Sequence, residues 1–371
     1  MTESNHSAFD PAPWMRTPLS GKLGIELPII QGPLGGFSTE RLAAAVSNLG
    51  GLGSYGAHNV SPDQIANVVS TIRAHTSKPF AINLWVSMED RGAREAGERE
   101  FQQALATLKP FLDEIGAPHP VYKPYAPVAF EAQARALLDA RPPVFSFIVG
   151  IPPKEILDEC RARKIVTVGT ATTVDEAIAI EQAGADIVVA SGFEAGGHRG
   201  SFLRSAEESL TGTFSLVPQI ADAVSIPVVA AGGIADARGI AAAFDLGADG
   251  VQIGTAFLAT EESSASALHR NALLSGNVRT ALTKGFTGRL ARGIKNRLMD
   301  AVNSSDAAVL PYPLQRALVR NLVVPAARAE RADLLQLWSG QNANLLKHRT
   351  VDALMHDLVV GVSAILAARP K

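Results

Sequence analysis

The chain has 371 residues, a formal net charge of -2, 47% apolar and 19% charged residues. That balance describes a globular protein and excludes a disordered chain, a fibrous repeat and a binder whose main partner is nucleic acid or an anionic membrane. Cys160 is the only cysteine, which excludes an intramolecular disulfide and a cysteine-based zinc site, and no apolar run reaches the ~18 residues of a membrane span.

Taken in chain order, Met1 to Asp10 is polar and lacks a signal-peptide apolar region, so a soluble cytoplasmic protein is expected. Eight short apolar runs are predicted as strands: Leu27 to Gln31, Gly51 to Tyr55, Phe80 to Val86, Val144 to Val149, Ile165 to Thr170, Ile187 to Ser191, Val228 to Ala231, and Val251 to Gly254. Amphipathic segments lie between them, the pattern of a parallel sheet in an α/β protein, and eight strands close a (β/α)8 TIM barrel. Helices begin at capping hydroxyls in Ser38-Thr39 and Thr172-Thr173, and end near Gly50 and Gly184, where a left-handed residue would precede the next strand. The echo of Ala183-Gly184-Ala185-Asp186 in Leu246-Gly247-Ala248-Asp249, each just before a strand, suits a barrel of similar units.

Two stretches exceed a minimal barrel. Ser87 to Pro143 contains Pro118, Pro120, Pro124 and Pro127 and is predicted as one or two helices joined by extended chain. The segment after it, around Cys160, reads as a helix with a buried structural thiol. Residues from about Glu261 to Gly340 predict a mainly helical lobe inserted after the eighth strand, over the carboxyl-end mouth; Asn342 to Ala368 predicts a terminal helix. The expected division is a barrel over 1–260, a lid lobe over 261–340, and 341–371 returning to the barrel.

Chemistry concentrates at strand ends. Ser191-Gly192-Phe193-Glu194-Ala195-Gly196-Gly197-His198-Arg199-Gly200 follows a strand with a glycine loop carrying an imidazole, and the strand-then-glycine pattern recurs at Gly232-Gly233 and at Gly254-Thr255. Glycine backbone can approach a ligand closely, and backbone N–H groups after the seventh and eighth barrel strands hold phosphate without a lysine cluster. One such pair alone would read as a tight turn; three junctions point to a phosphate-bearing cofactor. His198 is the one histidine in a glycine loop at a strand end, placed to take a proton from a carbon acid or to stabilise an anion. Glu194 is expected to orient the loop or the imidazole, and Arg199 to be a solvated or paired charge. Asn83, an amide in an apolar strand, needs hydrogen-bond partners that a cofactor or loop backbone would supply. Trp85, Tyr312 and Trp338 could wall a pocket, although core packing explains each singly. No Walker loop, Rossmann fingerprint or His-Glu-x-x-His is present, and no metal site is expected.

Pro28 to Gly32, Ala81-Ile82-Asn83, Glu194 to Gly200, Ala230 to Ile234, Gln252 to Thr255, Phe286 to Gly293 and Trp338 to Gln341 together resemble the nitronate monooxygenase family, formerly 2-nitropropane dioxygenases. The likeness runs from about Gly21 to the terminal helix. It implies a barrel holding non-covalent FMN and an inserted domain closing the substrate pocket. It also implies oxidation of an alkyl nitronate, such as propionate 3-nitronate, by flavin and O2 to a carbonyl compound and nitrite. On that resemblance His198 matches the active-site histidine, and Asn83, Gly196, Gly233 and Gln252, Ile253, Gly254 and Thr255 match flavin-contacting positions. Gly32, Pro33, Ser191, Gly192, Gly197 and Gly232 complete the candidate cofactor set. This chain has Ser191 where many members have glutamine, and Ile148 where some present a polar side chain. A homodimer is left open. The alternatives are an NAD(P)H-dependent flavin reductase acting on quinones or enoyl thioesters, and a non-catalytic phosphate-ligand binding barrel.

Overall fold

The computed structural model describes residues 12–90, 92–124, 130–304 and 306–369, so Met1 to Asp10 and Pro127 lie outside the described residues. Its strands are β1 (Ile29–Gln31), β2 (Gly53–Gly56), β3 (Phe80–Trp85), β4 (Val144–Ile148), β5 (Val166–Ala171), β6 (Ile187–Ser191), β7 (Gly197–His198), β8 (Val228–Ala231), β9 (Gly250–Ile253), β10 (Thr280–Thr283) and β11 (Ala291–Ile294). Eight of them form one parallel sheet in the order β1-β9-β8-β6-β5-β4-β3-β2. A parallel bridge between Ile30 and Leu52 joins its two edges, so the sheet closes into the expected TIM barrel.

Side chains alternate across each strand. Ile30, Leu52, Ala81, Val144, Val168, Val189 and Val229 fill the barrel interior, whose amino-end mouth is plugged by Leu19 and Leu23 of the helix Pro18–Leu23. Their neighbours Ile29, Ile82, Phe145, Val188, Val228 and Val251 face outward and pack under the helices, Cys160 among them. The helix starts are local. Thr39 and Thr173 cap Glu40–Asn48 and Val174–Gln182 through their hydroxyls. The Asp186/Asp249 echo has a physical reason: each carboxylate accepts from an N–H near the start of a neighbouring strand, at Thr167 in β5 and Val228 in β8 (both 2.9 Å).

The long segment after β3 holds two helices that part company. Phe130–Ala140 packs on the barrel, whereas Glu98–Glu114 places Phe101, Leu105, Leu108 and Phe111 against Leu298, Met299, Leu318 and Leu322. The lobe's apolar core therefore joins the β3–β4 insertion to the chain after β9. The terminal helix begins later than expected, at Val351 behind a Thr350 cap, because residues from Gln341 are used otherwise. Asn344 is hydrogen-bonded to Val278 in both directions, and Asn342 donates to the Gly233 carbonyl. No single-sequence period announced β7, β10 and β11, which form an antiparallel sheet in the order β10-β11-β7. His198 is thus not a free loop residue: it pairs with Ala291, and Gly197 with Arg292.

Candidate active site

A cavity of about 360 Å³ opens at the carboxyl ends of the barrel strands, beneath the lobe. Of the residues proposed from sequence, Gly32, Pro33, Asn83, Ser191, Gly196, Gly197, His198, Gly232, Gly233, Gln252, Gly254 and Thr255 line it. Gly192 and Ile253 do not. The Ile253 side chain is fully buried on the outer face of β9, because the period of two that turns Gln252 inward turns its neighbour away. A larger groove lined by Met15, Ile25, Met355 and Val359 lies at the amino end of the barrel, remote from these residues.

One side of the cavity is backbone. Gly232 and Gly233 take φ of +103° and +68°, conformations open to glycine, and the N–H groups of Gly233 and Ile234 have no acceptor among the described residues. Gly254 precedes the short helix Thr255–Leu258, and Thr255 Oγ1 accepts from Gly340 N at 2.9 Å, so the lobe is tied to this rim. Consecutive unpaired N–H groups at such a turn favour an anion. Asn83, almost fully buried, donates to Ser146 Oγ at 3.0 Å. Ser191 and Ile148, the two departures from the family pattern, both face the cavity.

The other side is aromatic. His198 Nε2 lies 2.9 Å from Thr287 Oγ1, and the Thr287 hydroxyl donates to the Arg289 carbonyl at 3.2 Å. The hydroxyl oxygen therefore accepts from Nε2–H and leaves Nδ1 as the bare lone pair. Trp85 and Tyr312 meet the imidazole edge-on at 5.0 and 6.1 Å between centroids, and Trp338 lies at 5.2 Å. His198 lines the cavity. Burial, followed by the field of Arg289, drives its pKa well below the ordinary histidine value, so it is neutral. Trp85 and Trp338 line the cavity, while Tyr312 is buried behind them; the packing explanation holds for Tyr312 alone.

The flanking charges correct one expectation and narrow another. Arg199 is not solvated: it is buried, and it donates to the carbonyls of Gly192 (2.7 Å), Ser191 (2.8 Å) and Ser209 (3.3 Å). It clamps the end of β6 to the loop that carries His198. Burial lowers its pKa to about 10, which leaves it charged. Glu194 does not reach the imidazole; its carboxylate accepts from Thr213 N and Oγ1 and caps the helix Thr213–Ala223.

Sequence reasoning missed His58, Arg316 and Arg289. Arg289 is held by Asp90 (2.6 Å) and Ser87 and lies over the rings of Tyr312 and Trp85. Arg316 lines the cavity, donates to Asn59 Oδ1 at 2.7 Å, and has no acidic partner among the described residues. His58 had a signal: it stands just beyond the end of β2, in Gly56-Ala57-His58.

A lidded barrel that sets unpaired N–H groups against a neutral, oriented imidazole defines an oxidoreductase-type enzyme site only together with its relatives. The family model for nitronate monooxygenase matches residues 16–361, and the chain belongs to that family, whose members are generally flavin-dependent. A probable nitronate monooxygenase of Staphylococcus haemolyticus is 42% identical, covering 95% of this chain and 99% of its own length. The solved nitroalkane oxidase of Streptomyces ansochromogenes superposes with a TM-score of 0.84 at 35% identity, over 95% of this chain and 99% of that one. FabK of Thermotoga maritima follows at 0.74 and 28%, covering 95% and 97%. The protein is an oxidoreductase acting on nitronates in general. Among the described residues, no helix is long and apolar enough to cross a membrane, and no three metal-binding side chains are grouped to hold an ion.

Proposed function

We propose that this protein oxidises alkyl nitronates, propionate 3-nitronate among them, with FMN and O2 to a carbonyl compound and nitrite. The observation that carries the reading is the neutral His198 imidazole, fixed on Thr287 and lining a cavity whose rim includes backbone N–H groups with no acceptor among the described residues. The residues present fit the flavin. The N–H groups of Gly233 and Ile234, with the turn at Gly254-Thr255, would hold its phosphate, and Asn83, Gln252, Ser191 and Gly196 would contact its ring system. Bound FMN supplies an electron acceptor for the nitronate and an electron donor for O2.

The chain's own residues do the rest. His198 presents Nδ1 as an uncharged base for the α-proton of a neutral nitroalkane, a transfer that yields imidazolium and the nitronate; a substrate supplied as nitronate needs no such step. Arg316, with no acidic partner among the described residues, draws an anion into the cavity, and a carboxylated nitronate is doubly matched to it. Trp85, Trp338 and the lobe exclude water.

The test begins with purified protein. A yellow protein should release FMN, identified by mass, and should form nitrite from propionate 3-nitronate or ethyl nitronate under O2. A wild-type protein that forms no nitrite ends the proposal. The likeness to FabK supports a second reading, a flavin reductase, and rapid anaerobic bleaching by NADH with no response to nitronate would favour it. His198→Ala should keep flavin and lose oxidation of a neutral nitroalkane by about 100-fold or more, with a smaller loss on the preformed nitronate.

A further inference from the structure

His58 is a buried imidazole with no hydrogen-bond partner among the described residues. Its relative exposure is 5%, Nδ1 is buried and unpaired, and Nε2, also unbonded, keeps its access to the cavity that the residue lines. Buried polar groups ordinarily find partners within the protein. The position is nevertheless closely defined. Gln133, itself fully buried, donates to the carbonyls of Ala57, His58 and Val60, and Ala57 N donates to the Asn83 carbonyl. The ring stacks on Trp85 at 4.4 Å and 13°, the same indole whose edge meets His198. Gly35 abuts the ring's Cε1, where an added Cβ would lie 2.8 Å from Nδ1 and 3.4 Å from Nε2.

A rigidly seated side chain with an unsatisfied edge is arranged for a ligand. An unpaired buried N–H is costlier than an unpaired lone pair, so the proton sits on Nε2, where the cavity can meet it, and Nδ1 stays bare against Gly35. Burial, then the charges of Arg316 and Arg289, holds the ring neutral, with a pKa of about 3. His58 is therefore a fixed, uncharged donor beside the Arg316 cation.

We infer that His58 binds substrate: its Nε2–H donates to an oxygen of the nitronate group in the cavity that His58 lines. The inference rests on the function proposed above and adds a specificity-determining residue to it. The bond is charge-assisted, and it weakens as the substrate loses its negative charge. It therefore supports binding of the anion and does not speed its oxidation.

The test uses the flavin-loaded protein with His58→Phe, which keeps an aromatic stack on Trp85 and removes the donor, and His58→Gln, which restores an N–H. Nitrate, a planar oxyanion that cannot be oxidised, is titrated by tryptophan fluorescence, alongside KM and kcat for propionate 3-nitronate. Bound flavin is counted by absorbance. In His58→Phe, the nitrate Kd and the nitronate KM should rise about tenfold or more, the scale of a hydrogen bond to a charged group, with kcat within about threefold. His58→Gln should recover part of both, and flavin content should be unchanged in both variants. Unaltered nitrate Kd and KM in His58→Phe overturn the inference, as does a loss confined to bound flavin. A wild type that forms no nitrite removes the parent proposal first, whereas wild-type turnover with an indifferent His58→Phe removes only this one.

Discussion

On one side of the cavity, Gly232 and Gly233, adjacent in the chain, build a rim with Gly254 at the next strand end; on the other, His198 is held by Trp85 from the end of β3 and by Thr287 and Trp338 from the chain after β9. A rim of backbone N–H groups needs only local conformation, and short glycine turns deliver it. An imidazole that must stay neutral and keep one tautomer needs enclosure on every side. No single segment can enclose it. The lobe therefore does more than cover the site: strand β11 pairs with β7 and thereby sets where His198 stands.

That contrast can be tested by damaging one side at a time. The largest effects should come from two glycines. At Gly288, φ is +97° and an added Cβ would lie 2.6 Å from Leu310 O; at Gly232, φ is +103° and the Cβ would lie 2.9 Å from Gly192 O. Each alanine variant should lose about 3–4 kcal/mol from strain and overlap. Gly288→Ala should retain flavin and lose turnover, whereas Gly232→Ala should lose flavin. Flavin absorbance and calorimetry read both, and the same phenotype from both variants would erase the distinction.

Next comes Arg199→Met, which strips charged donors from the Ser191 and Gly192 carbonyls at the join between the two sides. It should cost about 3 kcal/mol and reduce both flavin content and activity. Thermal melts with flavin quantification measure this.

Acid should expose the enclosure of the aromatic side. The folded pKa of His58, about 3, lies below the ordinary 6.5, so the folded state binds fewer protons than the unfolded chain. Its contribution is fully present above pH 6.5 and is lost as pH falls towards 3. At pH 5 the loss from His58 alone should be about 2 kcal/mol. Melting at pH 7 and pH 5 should show that drop, reduced in His58→Phe. His198, also lowered, should leave kcat/KM without a histidine titration near pH 6.5.

The smallest change is Thr287→Val, which removes the acceptor for His198 Nε2–H. We expect about 1 kcal/mol of destabilisation, flavin retained, and kcat lowered about tenfold as the tautomer is freed. Unchanged kcat would mean that the aromatic rings alone orient the imidazole.

The same division governs what could be read in advance. The eight barrel strands, their hydroxyl caps and the glycine turns were legible, because apolar runs, caps and left-handed residues leave marks within a few positions of where they act. Arg199 misled because burial of a charge depends on carbonyls brought to it from Ser191, Gly192 and Ser209, and composition cannot announce that. The helix Glu98–Glu114 carries an ordinary amphipathic pattern, which says that one face is covered but not that the cover comes from Leu298 and Leu318.

By itself, the sequence determined the barrel, the glycine rim and His198 as the imidazole beside it, since each depends on periodicity or on backbone freedom encoded at the position concerned. Tertiary structure decided that His198 would be a strand residue paired with the lobe and neutral, and that His58 would stand unpartnered against Trp85. Protonation state and unsatisfied polarity are properties of surroundings, and those surroundings are assembled from segments far apart in the chain.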